Sequence, residues 1–174
     1  MKSGKKLKKI KKITEILYYY RDIIGVGGFL ILYIFSEINI KNFHWSLVIV
    51  FFGLIFRLLG YFYLGDIGYS LKFQDQFLIV NGIYSYFRHP IYLGNFFILI
   101  GFLLFLKMPV WLYSITVLFF VIEYSLFIYQ EEIILKENKE IKIVKNSPSL
   151  KNCLGELKTV ILVLLAFLLF FLKI

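Results

Sequence analysis

The sequence predicts an all-α fold, a polytopic membrane helical bundle with five transmembrane helices, or four if the last apolar run lies along the membrane surface. Of the 174 residues, 60% are hydrophobic, and the mean hydropathy is +0.78, far above that of soluble globular domains. The charged residues lie in blocks between apolar runs, as they do beside a bilayer. Because no Gly/Ser linker or internal repeat interrupts the chain, we expect one membrane domain over residues 1–174.

Five apolar runs are the expected spans, since a helix needs about 20 apolar residues to cross the hydrocarbon core. They are Ile23–Ile40, Trp45–Leu64, Ile91–Leu106, Pro109–Gln130 and Val160–Leu172. The fifth is short and could be a tilted or interfacial element. Only a few residues around Lys107–Pro109 separate the third and fourth spans, so these two should form a tight antiparallel hairpin. Four glycines in the second and third spans should allow close helix packing, namely Gly53, Gly60, Gly94 and Gly101.

The basic residues orient these spans. With five alternating spans, one side of the membrane receives the basic segments 1–22 and 131–158 and the loop Gly65–Pro90. The other side receives only Lys41, Lys107 and Lys173. By the positive-inside rule the rich side, with the N-terminus, is cytosolic. The net charge of +9 therefore indicates topology and contact with anionic membrane lipids rather than nucleic acid.

Polar residues gather where the hairpin of the third and fourth spans would open to the cytosol. Arg88 and His89 precede one arm, and Glu131 and Glu132 follow the other at a similar depth. The pattern predicts a charged cluster at the mouth of a hydrophobic bundle. Three structural alternatives remain: Arg88 could anchor the helix at the interface, His89 before a proline could be an interfacial helix-start residue, and the two glutamates could form a solvated face.

Two further charges, Arg57 and Glu123, lie inside predicted spans. A charge within the bilayer is costly unless it faces a partner or a wet cavity, so we expect both to be functional. They could instead pair with each other and hold helices together.

Several other chemistries lack the residues that they need. The predicted topology puts His44 and His89 on opposite sides of the membrane, and Cys153 is the single cysteine. A zinc site is therefore not expected. The sequence also contains no nucleophile elbow, P-loop or dinucleotide-binding fingerprint.

The stretch from Gly82 to Gly94 closely resembles the signature of the isoprenylcysteine carboxyl methyltransferase family, which is related to the membrane phospholipid methyltransferases. It reads Gly-Ile-Tyr-Ser-Tyr-Phe-Arg-His-Pro-Ile-Tyr-Leu-Gly and matches every fixed position of G-x-Y-x-x-x-R-H-P-x-Y-x-G. A Glu-Glu pair after the next hydrophobic helix, with a leucine three residues later, also fits the family pattern, and so does Arg57. The sequence departs from the family after Leu135, where relatives have Phe-Gly and spaced tyrosines.

The resemblance implies methyl transfer from S-adenosylmethionine to a lipid-like or prenylated acceptor. The cofactor carries a carboxylate, an ammonium and a sulfonium. Arg88 suits the carboxylate, because a guanidinium binds it as a fork. Glu131 suits the ammonium or ribose hydroxyls, and Tyr84, His89 and Tyr92 offer hydrogen bonds and ring surface near the sulfonium.

For catalysis we expect Arg57, Arg88 and Glu132, with Arg57 binding the carboxylate of a prenylcysteine. Three alternatives stay open. The acceptor could be a phospholipid amine. The protein could be an NADPH-dependent membrane reductase, because sterol reductases resemble the same C-terminal architecture. It could also be a non-catalytic lipid-binding or scaffold protein, which the divergent segment after Leu135 allows.

Overall fold

A computed structural model describes residues 2–64, 77–137, 142–144 and 148–173 and confirms the all-α membrane fold. The helices are α1 (Lys2–Phe35), α2 (Phe43–Leu64), α3 (Pro90–Phe105), α4 (Val110–Glu137), α5 (Leu150–Gly155) and α6 (Leu157–Phe171), with 3-10 turns at Ile40–Asn42 and Gly82–Ser85. Much of the predicted loop Gly65–Pro90, including Lys72, lies outside the described residues, as do Lys139 and Lys145 of the predicted basic segment.

Four stretches of these helices are long and apolar enough to cross a membrane: Lys12–Phe35, Ile40–Leu64, Val110–Ile133 and Leu150–Phe171. Many large apolar side chains on them are exposed, among them Trp45, Phe51 and Phe119. Such a surface is a liability in water but suits lipid. The chain is therefore a multi-pass membrane protein.

The bounds of the first and last spans differ from the sequence prediction. The first span runs over Lys12–Phe35 rather than Ile23–Ile40. The last span begins at Leu150 rather than Val160, because α5 and α6 follow one another with Glu156 in a helical conformation between them (φ −79°, ψ −9°). The third helix, α3, is shorter than each of the four spans named above. At 1.5 Å per residue its 16 residues extend about 24 Å, less than a hydrocarbon core of about 30 Å.

Two short ladders accompany the helices. Strand β1 (Glu37–Ile38) pairs antiparallel with β3 (Leu106–Lys107), and Glu37 lies opposite Lys107. Strand β2 (Phe77–Ile79) pairs in parallel with β4 (Lys142–Val144). None of these strands was predicted, since runs of two or three residues carry too little periodicity to be recognised.

The chain divides into two compact units. The single methyltransferase domain stays a prediction. Among the described residues, the first unit comprises 2–35 and 109–137, and the second comprises 36–64, 77–108, 142–144 and 148–173. In the first unit α1 packs on α4, with an edge-to-face contact of 5.9 Å between the rings of Tyr18 and Phe127. The connection between α3 and α4 is as short as expected, and their hairpin packing stays a prediction.

Close contact between α2 and α3 forms the centre of the second unit, as the glycines predicted. A Cβ atom on Gly53 would lie 2.7 Å from the carbonyl oxygen of Gly94, and one on Gly60 would lie 2.6 Å from Ile91. At the opposite end of the pair, the Ser46 hydroxyl donates a 2.7 Å hydrogen bond to the carbonyl of Gly101. The two helices are thus antiparallel and in backbone contact along their length.

Helix α6 is held at one end of this unit by aromatic packing. The ring of Phe167 lies 4.5 Å from that of Phe102 and 4.9 Å from that of Phe105. At the same end Lys173 donates a 2.7 Å hydrogen bond to the carbonyl of Ser36. The other end of the unit therefore contains the end of α2 and the start of α3, where the family signature lies.

Candidate active site

The segment Gly82–Gly94, called here the signature segment, turns the chain from β2 into α3. Gly82 has φ +60°, and a Cβ atom there would meet the ring of Tyr63 at 2.3 Å. The position therefore requires glycine both for its backbone angle and for the contact. Pro90 occupies the first turn of α3, where a missing N–H costs no hydrogen bond. The fixed glycine and proline of the signature thus set the path of the chain.

The predicted cofactor residues of the segment lie along this path. Tyr84 lies half-buried in the 3-10 turn, and Arg88 is exposed just before α3. His89 is half-buried at the start of α3, and its ring stacks on that of Tyr92 with centroids 5.6 Å apart and planes inclined by 11°. The stack forms because residues three apart at a helix start lie on one face.

Arg57 lies on α2 next to the end of the signature segment, and each of its three guanidinium nitrogens donates a hydrogen bond. Its Nε and Nη2 donate hydrogen bonds of 2.8 and 3.0 Å to the two carboxylate oxygens of Glu156. Its Nη1 donates to Oδ1 of Asn95, and Nη2 also donates to the Thr159 hydroxyl at 3.2 Å. We call these four residues the arginine network. The side chains of Arg57 and Glu156 are only 12% and 7% exposed. A buried charge is costly unless it is paired, and the network supplies partners for the charge of Arg57.

Helices α2, α3 and α6 contribute to this network, because small or polar residues of each helix lie where the three meet. A Cβ atom on Gly94 would lie 2.7 Å from Cγ of Arg57, so the last glycine of the signature leaves room for the arginine stem. Asn95 follows it on α3. Glu156 and Thr159 lie on the face of the last span that also buries Val163 and Phe167. This stripe repeats every three or four residues, as one face of a helix does.

Glu131 and Glu132 lie half-buried on α4, which belongs to the first unit. The other predicted site residues, Arg57, Tyr84, Arg88, His89 and Tyr92, all belong to the second unit. Among these five, the rings of His89 and Tyr92 are in contact, and Arg57 contacts the last part of the signature segment at Gly94. The approach of the two glutamates to Arg88 stays a prediction.

Sequence reasoning missed Asn95, Glu156 and Thr159 as partners of Arg57. It placed Glu156 in the cytosolic segment 131–158, because the charges of Glu156 and Lys158 precede the apolar run that starts at Val160. A usable signal was present, however. Positions 156, 159, 163 and 167 share one helical face, and an acidic residue one turn before an apolar run can lie inside a longer span.

No group of three or more His, Cys, Asp or Glu side chains that could hold a metal occurs among the residues that the structure describes. The available chemistry is that of a buried guanidinium, an exposed guanidinium and stacked rings. These groups suit anionic and cationic parts of organic molecules.

Comparison with known proteins gives one match. The model of the isoprenylcysteine carboxyl methyltransferase (ICMT) family matches residues 46–137, which include most of α2, the signature segment, α3 and α4. Comparisons with curated proteins and with solved structures gave no significant match. The matched region ends before Glu156 and Thr159, so two members of the arginine network lie beyond it.

Proposed function

Because the chain belongs to the isoprenylcysteine carboxyl methyltransferase family, we propose that it transfers a methyl group from S-adenosylmethionine to the carboxylate of a prenylcysteine-like or other lipid-like acceptor at the cytosolic face of the membrane. The family match covers more than half of the chain and identifies the protein as a methyltransferase acting on isoprenylcysteine-type substrates. The cofactor, the membrane face and the site residues are our proposal.

The contact between the signature segment and Arg57 carries this proposal. Gly94 closes the signature and leaves space for the Arg57 stem, and the next residue, Asn95, binds the guanidinium. The family's most specific residues and the buried cation are thus parts of one compact unit. A buried cation next to the signature is what a carboxylate acceptor needs, because burial strengthens a charge-assisted hydrogen bond.

The residues of the signature segment fit S-adenosylmethionine by their chemistry. Arg88 is exposed, and its guanidinium suits the amino-acid carboxylate of the cofactor, because it binds a carboxylate as a fork. The stacked rings of His89 and Tyr92 offer aromatic surface for a sulfonium or an adenine. We assign Tyr84 and Glu131 to the hydroxyl and ammonium groups, and Glu132 to the reacting region. The bound cofactor supplies an electrophilic methyl group, which a carboxylate oxygen can accept without proton transfer.

The chain's own contribution would be to position the acceptor and to exclude water. Arg57 is our candidate for binding the acceptor carboxylate. Large apolar side chains on the same helix are exposed, including Phe51, Phe52 and Leu59, so a prenyl tail can remain in lipid beside α2. An acceptor with an anionic head and an apolar tail matches these two surfaces.

The position of the basic residues supports the cytosolic face. Lys41, Lys107 and Lys173 belong to the end of the second unit where β1 and β3 pair, and the signature segment lies at the other end. Under the positive-inside rule the lysine-rich segments that precede the first span and the last span, which begins at Leu150, face the cytosol. Two spans, α1 and α2, precede the signature segment, and they would return it to the side of the N-terminus, where the cofactor is available.

The test uses the full-length protein in lipid nanodiscs. Calorimetry should show S-adenosylmethionine binding, and labelled cofactor should transfer its methyl group to an N-acetylated S-prenylcysteine as a base-labile ester. Base-stable label on phosphatidylethanolamine would instead assign amine methylation. NADPH binding without S-adenosylmethionine binding would favour a reductase, and binding of neither cofactor would favour a non-catalytic protein.

A further inference from the structure

The Arg57 fork is already filled by a carboxylate of the protein itself. The parallel hydrogen bonds from Nε and Nη2 to Glu156 are those that a guanidinium makes to any bidentate carboxylate. An acceptor carboxylate can occupy this fork only if Glu156 leaves it, because two carboxylates cannot both bind the same pair of N–H groups. Asn95 accepts from Nη1, and the Thr159 hydroxyl accepts a second bond from Nη2, so both can stay.

An unused partner for a displaced Glu156 lies one helical turn away. Asn152 is 1% exposed, and neither of its amide atoms has a hydrogen-bond partner among the described residues. A buried amide without partners is costly and calls for an explanation. Residues four apart on a helix are neighbours, so the Asn152 amide can donate to the Glu156 carboxylate after a change of side-chain rotamer.

Two contacts fix Asn152 beside the same part of α2. The backbone N–H of Ser149 donates a 3.0 Å hydrogen bond to the carbonyl of Phe62. The Cys153 thiol lies 3.9 Å from the carbonyl of Leu58. Asn152, between them in sequence, is therefore level with the turn of α2 that follows Arg57. It belongs to the same buried stripe as Glu156.

We propose that Glu156 is a positioning residue that holds the Arg57 guanidinium in place, yields it to the carboxylate of the acceptor, and moves to the amide of Asn152. This proposal rests on the proposed function and extends it beyond the family-matched region. Glu156 and Asn152 thereby set the selectivity of the site. An acceptor must carry an anion that can replace Glu156 at the fork, and a neutral lipid cannot.

The same exchange favours product release. Methylation turns the acceptor carboxylate into a neutral ester, which lacks the charge that makes a fork to arginine strong. Glu156 then regains Arg57, and the ester loses its polar contact. The resting pair is therefore a built-in competitor that is weaker than the acceptor but stronger than the product.

The test measures the affinity of the cofactor-free, full-length protein in nanodiscs for an N-acetylated S-prenylcysteine and for its methyl ester. Glu156→Gln should bind the acid about tenfold more tightly, since removing the competing charge frees one charge-assisted bond. Asn152→Ala should bind the acid about tenfold more weakly, since Glu156 loses its alternative partner. Neither change should alter ester binding, and the Asn152→Ala effect should vanish when it is combined with Glu156→Gln.

Two further variants guard against misfolding and non-specific effects. Asn152→Leu fills the same buried place with an apolar side chain and should weaken acid binding as Asn152→Ala does. Glu37→Gln removes an exposed carboxylate 3.8 Å from Lys107 at the opposite end of the unit and should leave both affinities unchanged. If Glu156→Gln does not fold, the two Asn152 variants still test the exchange. If the Asn152 amide had only a structural role, replacing it would not change the affinity for the acid relative to that for the ester.

Three outcomes would overturn the exchange. The first is that Glu156→Gln binds the acid more weakly than the wild type does. The second is that Asn152→Ala still weakens acid binding when it is combined with Glu156→Gln. The third is that an Asn152 variant loses the same affinity for the acid and for the ester. If the wild-type protein methylates the acceptor and a variant shows one of these outcomes, only this inference is overturned. Wild-type protein that binds neither S-adenosylmethionine nor the acid would overturn the proposed function as well.

Discussion

Arg57 and Glu156, 99 positions apart in the chain, are joined by two side-chain hydrogen bonds of 2.8 and 3.0 Å. This pair connects α2, inside the family-matched region, to the last span outside it. We therefore expect either single apolar substitution, Arg57→Met or Glu156→Leu, to destabilise the protein by about 3–5 kcal/mol, because each leaves an uncompensated buried charge. Unfolding midpoints in detergent, converted through a denaturant series, would measure this loss.

The double variant Arg57→Met/Glu156→Leu should recover most of the stability, since no charge stays buried. Glu37→Gln serves as the control, because its exposed pair with Lys107 should contribute less than about 1 kcal/mol. Additive losses in the double variant would show that the two side chains do not act as a pair.

The contact of α2 with α3 depends on glycine. Gly53→Ala places a Cβ atom 2.7 Å from the Gly94 carbonyl and 2.9 Å from the Ile98 backbone nitrogen. Backbone cannot yield as a flexible side chain does, so we expect a loss of about 1–3 kcal/mol together with reduced methyl transfer. Thermal unfolding and a labelled-methyl assay would follow both.

The matched control is Gly27→Ala on α1, where a Cβ atom meets nothing within 4 Å. This change should be neutral or stabilise the helix by up to about 1 kcal/mol. Equal behaviour of the two variants would refute a role for close packing at Gly53.

Arg88 is predicted to bind the cofactor carboxylate. Arg88→Ala should weaken S-adenosylmethionine binding by about 10–150-fold, the worth of a charge-assisted hydrogen bond of about 1.5–3 kcal/mol. Arg88→Lys should recover only part of this affinity, because an ammonium keeps the charge but lacks the fork. Calorimetry decides, and normal affinity in Arg88→Ala would remove this residue from the site.

The two glutamates on α4 should separate by kinetics. Glu131→Gln is expected to raise the KM or Kd for S-adenosylmethionine, because an amide is a poorer acceptor for an ammonium than a carboxylate is. Glu132→Gln is expected to lower kcat and leave cofactor affinity unchanged, because we place Glu132 at the reacting region. Steady-state kinetics combined with cofactor calorimetry would test both.

Unchanged kinetics in both variants would instead support a solvated face for this pair. Glu15→Gln on α1 is the control, since it removes a carboxylate to which we assign no role in cofactor binding or catalysis.

Much of the fold could be predicted from the amino-acid sequence because hydrocarbon burial depends on composition and length. The apolar runs predicted that the chain crosses the membrane several times, although the first and last spans begin at Lys12 and Leu150, before their predicted starts. The glycines predicted the contact of α2 with α3. The signature Gly82–Gly94 likewise indicates the family whose model matches residues 46–137. Each of these features is local, so it can be recognised without knowing what it packs against.

Only the tertiary structure decided the surroundings of Arg57. An arginine inside a span needs a counter-charge, but nothing in its own helix says which carboxylate supplies it. Glu156 acquires that role because α5 and α6 extend the last span by ten residues beyond the predicted start at Val160 and bring its polar stripe against α2. Whether two charged side chains on different helices pair depends on how deep each lies in the bundle and which neighbouring helix it faces. Both follow from how the helices pack rather than from the order of residues.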